Sequence, residues 1–365
     1  MLEKPDIPDS LILARLREGY DLCADQVTFL PLGADVNTAV YRVDVENGQA
    51  YFLKLRKGPF EEITVTLPHF LQQEGLKTIL SALETRASPD ARRRFVELCV
   101  NCGVTPTIYT QFEILPARLW EDLGEYKMIL YPFIEGQDGY QVSLSNGQWR
   151  DFGASLRMVH DSMPPPQIHG LIPRETYDAR WRNRVKGFQE QVESKSFREP
   201  VAAKLAAFMR AQREEISRLV ALAEELGANA RARDLPLVIC HADLHPGNLL
   251  INPGGAFYIV DWDNPILAPR ERDLMFIGAG IGGSWDEDHA EALFYQGYGP
   301  AQVDRAALAY YRCERIVEDI AAFCEQLLET DAGGEDREQS YRYFTSNFLP
   351  GHEIDRARKT WIKEV

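Results

Sequence analysis

The sequence has few of the features that mark membrane proteins or nucleic-acid-binding proteins. No apolar run approaches the ~18 residues of a membrane-spanning helix, and residues 1–6 (MLEKPD) lack the basic start and apolar segment of a signal peptide. Lysine and arginine number 40 against 55 aspartate and glutamate residues, a net charge of −15. A nucleic-acid-binding protein needs a basic surface, so this balance argues against that class. We expect a cytoplasmic protein with no nucleic-acid or membrane partner.

Several nucleotide-binding and metal-binding motifs are also missing. No G-x-x-x-x-G-K-[ST] occurs, which argues against a P-loop kinase. The glycine-rich stretch 278–283 (GAGIGG) matches the dinucleotide fingerprint, but Ser284-Trp285-Asp286 follow it in place of an apolar helix face, so we do not interpret it as a Rossmann site. The six cysteines are scattered, and Cys99-x-x-Cys102 has no second pair or nearby histidine. Two half-buried thiols explain that pair better than zinc binding does.

The remaining composition is that of a globular protein, with 45% hydrophobic and 26% charged residues. A chain of 365 residues is long enough for two domains. The acidic balance is compatible with a cationic small-molecule substrate.

The strongest pattern is a loop between two apolar runs. The loop, residues 241–248 (HADLHPGN), has the form H-x-D-x-x-x-x-N, and a later apolar run ends at Asp261. Phosphoryl transfer needs a base beside the acceptor hydroxyl and oxygen ligands for Mg²⁺ on rigid supports. Asp243 can supply the base, and Asn248 and Asp261 can supply the ligands. A lone H-x-D is more often a solvated turn, but the asparagine and the second aspartate favour a phosphotransferase.

The N-terminal region predicts a three-strand meander over residues 27–30, 40–45 and 50–55. Gly33 lies in the turn between the first two strands, and Lys54 lies on the third. Asn47-Gly48, between the second and third strands, predicts a two-residue type I′ turn. A glycine-containing turn followed by a strand lysine is the order of a kinase small lobe, in which the lysine binds the α and β phosphates of the nucleotide.

The segments that follow predict a helix, an insertion and a hinge. Residues 59–75 are typical of a helix and offer Glu61, Glu62 and Glu74 as carboxylate partners for the lysine; solvated glutamates at a helix start are an equal alternative. Residues 84–106 suggest an extra helix, and residues 127–136 predict a strand that runs into a Pro/Gly hinge. We therefore place a lobe boundary near residues 134–140.

The C-terminal part is predicted to be helical. Residues 271–274 (ERDL) are expected to anchor the 241–248 loop. Glu314 and Glu318 are four residues apart on one helix face, where like charges repel unless a cation is near. The two glutamates either pair with arginines or form an acidic patch that faces a cationic substrate.

The motifs together resemble those of the aminoglycoside phosphotransferase and choline kinase family of kinase-like enzymes, and most closely those of the spectinomycin (aminoglycoside 9-) phosphotransferases. The matching stretches are Gly33-Ala34-Asp35-x-Asn37, Tyr51-Phe52-Leu53-Lys54-Leu55, Tyr131-Pro132-Phe133-Ile134, the 241–248 loop, Tyr258-Ile259-Val260-Asp261-Trp262-Asp263, residues 268–278 (APRERDLMFIG) and residues 310–320 (YYRCERIVEDI). The last two stretches are more specific to the spectinomycin subgroup than the loop is.

This resemblance implies an α+β, protein-kinase-like fold with two lobes. The N-lobe, residues 1–134, would be a small antiparallel sheet that binds the nucleotide, with the insertion near 84–106 as a departure from the family. The C-lobe, residues 135–365, would be mostly helical and carry the catalytic loop and the substrate-binding helices.

The resemblance also implies a role for each matching residue. Asp243 would be the catalytic base, with His241 orienting the loop; Asn248 and Asp261 would bind Mg²⁺; Lys54, Glu62, Gly33, Asn37, Tyr131 and Phe133 would form the ATP site; and Asp263, Glu314 and Glu318 would contact a cationic aminocyclitol or aminoglycoside. The implied reaction is ATP- and Mg²⁺-dependent phosphorylation of a hydroxyl of spectinomycin. A kinase of choline, a sugar or homoserine is an alternative. A regulatory pseudo-kinase is a second alternative, which the presence of all the expected catalytic residues disfavours.

Overall fold

The computed structural model describes residues 4–32, 37–85, 118–278, 288–330 and 336–362. The chain divides into two compact units. The first comprises Met1–Gln137 and Leu250–Trp262, and the second comprises Asp138–Leu249 and Asp263–Val365. The sequence predicts one boundary near residue 134 and assigns everything after it to the second lobe. In the structure, residues 250–262 group with the first unit instead.

A five-stranded antiparallel sheet forms the centre of the first unit, in the order β1-β2-β3-β5-β4. Its strands are β1 (Ala24–Leu30), β2 (Thr38–Val45), β3 (Ala50–Lys57), β4 (Glu121–Leu123) and β5 (Tyr126–Pro132). Among the described residues of the same unit, two segments are helical, α1 (Asp9–Tyr20) and α2 (Ile63–Gln73). The predicted meander is confirmed, since β1, β2 and β3 are neighbours and antiparallel.

The two faces of this sheet bury different residues because side chains alternate along a strand. Leu53 and Leu55 of β3 are fully buried in a cluster with Leu16 of α1. Lys54 therefore lies on the opposite face, where its neighbour across the β5 pairing is Ile129. Ile129 packs with Val65 of α2 in a second cluster. The lysine is held on a rigid strand and is only 9% exposed.

The turn between β2 and β3 differs from the prediction. A type I′ turn needs positive φ at both central residues, but of Asn47 and Gly48 only Gly48 has it, at +79°. The Gly48 N–H donates to the carbonyl oxygen of Val45 at 2.9 Å. This is a longer loop that ends on a left-handed glycine, a common three-residue hairpin. The strand register does not depend on the two-residue turn that the sequence suggests.

Residues 250–262 add a hairpin to the first unit. Strand β7 (Val238–Cys240) belongs to a separate two-stranded sheet. A three-stranded sheet has the order β6-β8-β9. Its strands are β6 (Gln137–Asp138), β8 (Leu249–Ile251) and β9 (Phe257–Ile259). Ile259 of β9 forms a parallel bridge to Ile79, and its N–H donates to the carbonyl oxygen of Thr78 at 2.7 Å. This backbone link explains why the segment groups with the first unit, although it follows in sequence more than a hundred residues of the second.

The second unit is mainly helical. Its helices are α3 (Asn146–Asp161), α4 (Pro166–His169), α5 (Arg180–Ser194), α6 (Pro200–Ala211), α7 (Arg213–Ala232), α8 (Glu271–Leu274), α9 (Asp288–Tyr298), α10 (Arg305–Leu328), α11 (Asp336–Ser346) and α12 (Glu353–Ile362). Strands β7 and β10 (Ile266–Ala268) pair antiparallel, with Cys240 opposite Ile266. Within the described ranges, no helix combines the length and hydrophobicity needed to cross a bilayer.

Helix α10 contains the largest number of buried residues among these helices, including Tyr311, Val317 and Leu327. Its N-terminus is capped by Asp304, whose side chain accepts the N–H of Ala307 at 2.8 Å. Such a cap satisfies one of the backbone donors that a helix start leaves without a partner. The helix is therefore well fixed where it supports the candidate site.

Candidate active site

The loop predicted to be catalytic, His241–Asn248, follows directly on β7 and ends in a 3₁₀ turn at Pro246–Asn248. We call it the HxD loop. The amide nitrogen of the Asn248 side chain donates to the carbonyl oxygen of Asp243 at 2.8 Å. This bond ties the end of the HxD loop to its centre. Asn248 is 6% exposed.

The backbone of the HxD loop is held by Asp273. Its carboxylate accepts the N–H of His241 at 3.0 Å and the N–H of Ala242 at 2.7 Å. Ala242 has φ of +70°, a left-handed conformation that is unfavourable for a residue with a Cβ. The two charge-assisted hydrogen bonds stabilise this conformation. The prediction that residues 271–274 anchor the loop is confirmed, with Asp273 as the anchoring side chain.

The Asp243 carboxylate lies beside an arginine and a histidine. The Arg315 guanidinium donates from Nη1 to Asp243 Oδ1 at 2.5 Å, and His245 Nε2 lies 3.7 Å from Oδ2. Burial would raise the pKa of this carboxyl group, but Arg315 and the neighbouring histidines outweigh burial and hold the pKa of Asp243 below its ordinary value. The backbone N–H of Asp243 donates to Nδ1 of His241, which is fully buried. Asp243 is therefore an ionised, oriented carboxylate.

Glycine 139 allows the chain to pass close to the HxD loop. Its N–H donates to the carbonyl oxygens of Pro246 at 2.9 Å and Leu249 at 3.1 Å. A Cβ at this position would lie 2.8 Å from the Pro246 oxygen, closer than such atoms approach in proteins. The sequence patterns did not identify this glycine, because its role depends on a contact with a distant segment.

In the first unit, Lys54 and Asp261 form an ion pair. Lys54 Nζ lies 2.7 Å from Asp261 Oδ1, and the side chains are 11% and 47% exposed. Asp261 has φ of +65°, so its backbone is also left-handed. Conformations of this kind are concentrated at functional sites, where the surrounding structure holds them in place. The structure thus brings together the strand lysine and the strand-end aspartate that the sequence singled out 207 residues apart.

The expected partner of Lys54, Glu62, is not placed to hold it. Glu62 is exposed and occupies the N-cap position of α2, where its backbone oxygen accepts the Thr66 hydroxyl. The buried positions of the first turn of α2 are Ile63, Thr64 and Val65. The first turn of α2 therefore buries two apolar side chains and a threonine, and Glu62 lies in solvent. The prediction is corrected to the alternative of a solvated glutamate.

The structure describes the surroundings of three of the four remaining residues predicted for the nucleotide site. Gly33 lies outside the described residues, as does most of the 84–106 segment and the Cys99/Cys102 pair. Asn37 is exposed, and its carbonyl oxygen accepts the N–H of Lys57 at 2.8 Å. Tyr131 lies in β5 opposite Phe52. The Phe133 ring is covered by the Arg42 guanidinium, with 4.5 Å from the guanidinium carbon to the ring centroid.

Glu314 is a structural residue, contrary to the substrate role implied by the resemblance. Its carboxylate pairs with Arg182 at 2.5 Å, and the two side chains are 8% and 4% exposed. Burial raises the pKa of Glu314 to about 7, although Arg182 opposes the rise. A carboxylate that is enclosed with an arginine cannot also receive a substrate ammonium group. Pairing with an arginine, the alternative left open by the sequence, is the arrangement found.

The other two predicted substrate carboxylates remain accessible. Glu318 is 29% exposed, with its Oε2 4.0 Å from Arg272 Nη2. Asp263 is half-buried and is the first residue of the segment Asp263–Val365 of the second unit. Their role stays a prediction.

Three buried side chains of the second unit resemble a metal site but have other partners. His160, Cys240 and Asp273 place their ligand atoms within 4.8 Å of one another. His160, however, is hydrogen-bonded through Nδ1 to the Tyr298 hydroxyl at 2.6 Å and through Nε2 to Asp273 at 3.1 Å. Burial raises the pKa of the Cys240 thiol well above its ordinary value, and the thiol faces backbone carbonyl oxygens. The cluster supports the HxD loop through Asp273.

The family of the chain follows from comparison with known proteins. The model of the phosphotransferase enzyme family matches residues 28–311, more than half of the chain. The chain belongs to this family. Comparison with curated protein sequences gave no significant match.

Solved structures agree with this assignment. A spectinomycin phosphotransferase in complex with ADP and spectinomycin is 33% identical, covers 98% of this chain and 99% of its own length, and has a TM-score of 0.83. An AMP-bound spectinomycin phosphotransferase is 32% identical, covers 96% of this chain and 98% of its own, and has a TM-score of 0.79. An amicoumacin kinase in complex with AMP-PNP and Ca²⁺ is 14% identical, covers 96% and 94%, and with a TM-score of 0.55 shares the fold alone.

The chain is thus a phosphotransferase of the aminoglycoside-kinase type. The predicted α+β, protein-kinase-like fold, with an antiparallel sheet in the N-terminal part, is confirmed. The fold and the family together define a small-molecule kinase whose acceptor is an alcohol group.

Proposed function

We propose that this protein transfers the γ-phosphate of ATP to a hydroxyl group of spectinomycin or a closely related aminocyclitol. The observation that carries the proposal is the 33% identity, over 98% of the chain, to a spectinomycin phosphotransferase whose structure contains ADP and spectinomycin. The resemblance of residues 310–320 to the same subgroup supports it. We also propose that the protein works in the cytoplasm, where ATP is available, without nucleic acid or membrane as a partner.

In this proposal Asp243 is the base that orients the acceptor hydroxyl and receives its proton. The proposal is supported by the ionised state of the carboxylate and by its position on a loop whose backbone is fixed at Asp273. Because phosphoryl transfer proceeds through a loose transition state, a weakly basic carboxylate is sufficient if it is well placed. His241 contributes by accepting the Asp243 N–H and so fixing the centre of the loop.

Asn248 and Asp261 are proposed to hold Mg²⁺. Their side chains offer the hard oxygen ligands that Mg²⁺ prefers. The Asn248 amide donates from its nitrogen to the Asp243 carbonyl oxygen, which leaves its oxygen to face a cation. Mg²⁺ bound by these residues would neutralise charge on the nucleotide phosphates as the phosphoryl group is transferred.

Lys54 is proposed to bind the nucleotide phosphates. It is nearly buried on a central strand, and its ammonium group already pairs with a carboxylate that we assign to the metal. Gly33, Asn37, Tyr131 and Phe133 are proposed to complete the nucleotide site.

For the cationic acceptor, Asp263 and Glu318 remain the proposed carboxylates, since ammonium groups of an aminocyclitol form charge-assisted hydrogen bonds with such side chains. Glu318 is partly exposed and so can receive a ligand.

The test is a panel assay. The purified protein is incubated with Mg-ATP and, separately, spectinomycin, hygromycin, kanamycin, choline or a simple sugar, while ADP release is followed and products are identified by mass spectrometry. We expect turnover with spectinomycin and a product that carries one added phosphoryl group. Omitting Mg²⁺, or supplying GTP instead, determines the metal and nucleotide requirements in the same assay.

Asp243→Asn is the matched inactive control, since it keeps the size of the side chain and removes its charge. It should bind ATP like the wild type and keep only a small residual turnover. Turnover with choline or a sugar and none with spectinomycin would show that the acceptor is wrong while the phosphotransferase assignment stands. Spectinomycin resistance of cells that express the wild type, but not the control, would connect the activity with antibiotic resistance.

A further inference from the structure

The Asp243 carboxylate is held by an arginine of helix α10 that has no assigned role. Arg315 uses two different nitrogens for two carboxylates: Nη1 lies 2.5 Å from Asp243 Oδ1, and Nε lies 3.0 Å from Asp319 Oδ1. The guanidinium carbon also lies 5.6 Å from the centre of the Phe276 ring. Because the guanidinium group is planar and its donors have fixed directions, these contacts leave it little freedom to rotate.

We propose that Arg315 is a positioning residue for phosphoryl transfer, which holds Asp243 through Oδ1 and leaves Oδ2 as the oxygen that meets the acceptor hydroxyl. This assignment rests on the proposed function of Asp243 as the base. Asp319 acts one step further away, by orienting the guanidinium.

The two oxygens of Asp243 have unequal surroundings. Oδ1 receives the short bond from Arg315. Across the part of the chain that the structure describes, no hydrogen bond reaches Oδ2, and His245 Nε2 lies 3.7 Å from it. A carboxylate that rotates freely presents either oxygen, since rotation about its terminal bond is broad and roughly two-fold. The bond from Arg315 removes this freedom and selects one oxygen for the reaction.

The surroundings of Arg315 are rigid enough for this task. Phe276, which lies beneath the guanidinium, is fully buried and follows three residues after Asp273, the anchor of the HxD loop. Arg312, one turn before Arg315 on α10, donates to the carbonyl oxygens of Met275 at 3.1 Å and Ile277 at 2.8 Å. One short segment, residues 273–277, therefore fixes the backbone of the HxD loop, supports Arg315 and holds the helix that carries it.

The ion pair is also more enclosed than an ordinary surface pair. The Arg315 and Asp243 side chains are 20% and 27% exposed, whereas those of Arg218 and Glu214, a surface pair of the same unit, are 65% and 89% exposed. Exposed ion pairs are screened by water and contribute little to stability, so the Arg218–Glu214 pair serves as an example of an incidental surface contact. Arg315 has both the enclosure and the geometry of a group that fixes its partner.

Arg315→Met is the decisive variant, with Arg315→Lys as the conservative one. Displacement of a reacting group by about 1 Å lowers the rate about 10²-fold, so we expect Arg315→Met to lower kcat by about that factor while KM for ATP stays unchanged. Lysine keeps the charge, but its single nitrogen cannot reproduce the two-nitrogen geometry, so Arg315→Lys should fall between Met and wild type. Arg184→Met is the matched control: Arg184 also contacts two carboxylates, Glu325 of α10 and Glu329 just after its end, and should keep the wild-type kcat.

A double variant separates positioning from support of the fold. If Arg315 acts through Asp243, the turnover left in Asp243→Asn should not fall further when Arg315→Met is added. Thermal unfolding is measured for every variant, and Arg315→Lys, which keeps a cation in place, decides the question if Arg315→Met fails to fold.

Three outcomes would overturn the assignment: a kcat of Arg315→Met and Arg315→Lys equal to or above that of wild type, losses that multiply in the double variant, or a wild type without turnover on any acceptor. The last outcome is recognised before any variant is made. It would defeat the proposed function, and with it the need for a positioned base.

Discussion

Asp273→Asn tests how strongly the HxD loop depends on one buried carboxylate. Asp273 is fully buried and receives three donors, the N–H groups of His241 and Ala242 and Nε2 of His160. Asparagine replaces one acceptor oxygen with an N–H group, so at least one of these donors loses its partner. Each buried donor left without an acceptor costs about 1–3 kcal/mol. With one or two donors affected, we expect a loss of roughly 1–6 kcal/mol of unfolding free energy.

The same change should reduce catalysis, because Ala242 would no longer be held in its left-handed conformation. Urea unfolding followed by circular dichroism measures the stability, and ADP release with the established acceptor measures kcat. Asp161→Asn is the control, since Asp161 is 56% exposed and pairs only across the surface with Arg157; such a pair contributes at most about 1 kcal/mol. If Asp273→Asn resembled Asp161→Asn in both stability and kcat, the anchoring role of Asp273 would be refuted.

Three further predictions concern the nucleotide, pH and helix packing. Lys54→Met should weaken ATP binding by about 10-fold or more, a loss of about 1.4 kcal/mol, and calorimetry that finds wild-type affinity would contradict its role. Burial would raise the pKa of Glu199, but two helix N–H groups and an arginine hold that pKa below 4.5. The ionised Glu199 therefore stabilises the fold fully above pH 4.5. This stabilisation is lost as the pH falls through the pKa that Glu199 has in the folded protein. The free energy of unfolding of the wild type should therefore exceed that of Glu199→Gln by about 1 kcal/mol at neutral pH. This difference, measured by chemical unfolding, should shrink below pH 4.5. A difference that stays constant with pH would show that the charge of Glu199 does not contribute to stability. Gly187→Ala, with open space around the added Cβ, should stabilise helix α5 by about 0.5–1 kcal/mol, whereas Gly153→Ala, with its Cβ 2.1 Å from a backbone oxygen of α9, should destabilise; calorimetric melting compares the two.

Features that depend on neighbouring residues were predictable from the sequence. The strand order around Lys54, the HxD loop and the aspartate at the end of β9 all follow from apolar runs interrupted by polar residues at short spacing. The anchoring role of Asp273 was also predictable, although its precise contacts were not. In each case the local sequence is compatible with few backbone conformations, so a local pattern is sufficient to predict the structure.

Features that depend on distant pairs were not predictable from one sequence. Glu314 pairs with Arg182 at a separation of 132 residues, and Asp243 pairs with Arg315 at a separation of 72. Helical spacing indicates that Glu314 and Glu318 share a side of α10, but it does not say which of them a neighbouring helix covers. The error for Glu62 has a similar origin, because the inward direction of α2 is set by how the helix packs on the sheet.

The hairpin at residues 250–262 has a consequence for the order in which the protein can fold during synthesis. The first unit lacks part of its structure until these residues have left the ribosome, since Ile79 awaits its bridge to Ile259 and Lys54 awaits the Asp261 carboxylate. A fragment that ends at Gln137 would lack the bridge partner of Ile79 and the Asp261 carboxylate that pairs with the nearly buried Lys54 ammonium group. Nascent chains arrested before and after residue 262 should therefore differ sharply in protease resistance of their N-terminal part. The first unit would then be complete only after most of the second-unit segment Asp138–Leu249 has been translated.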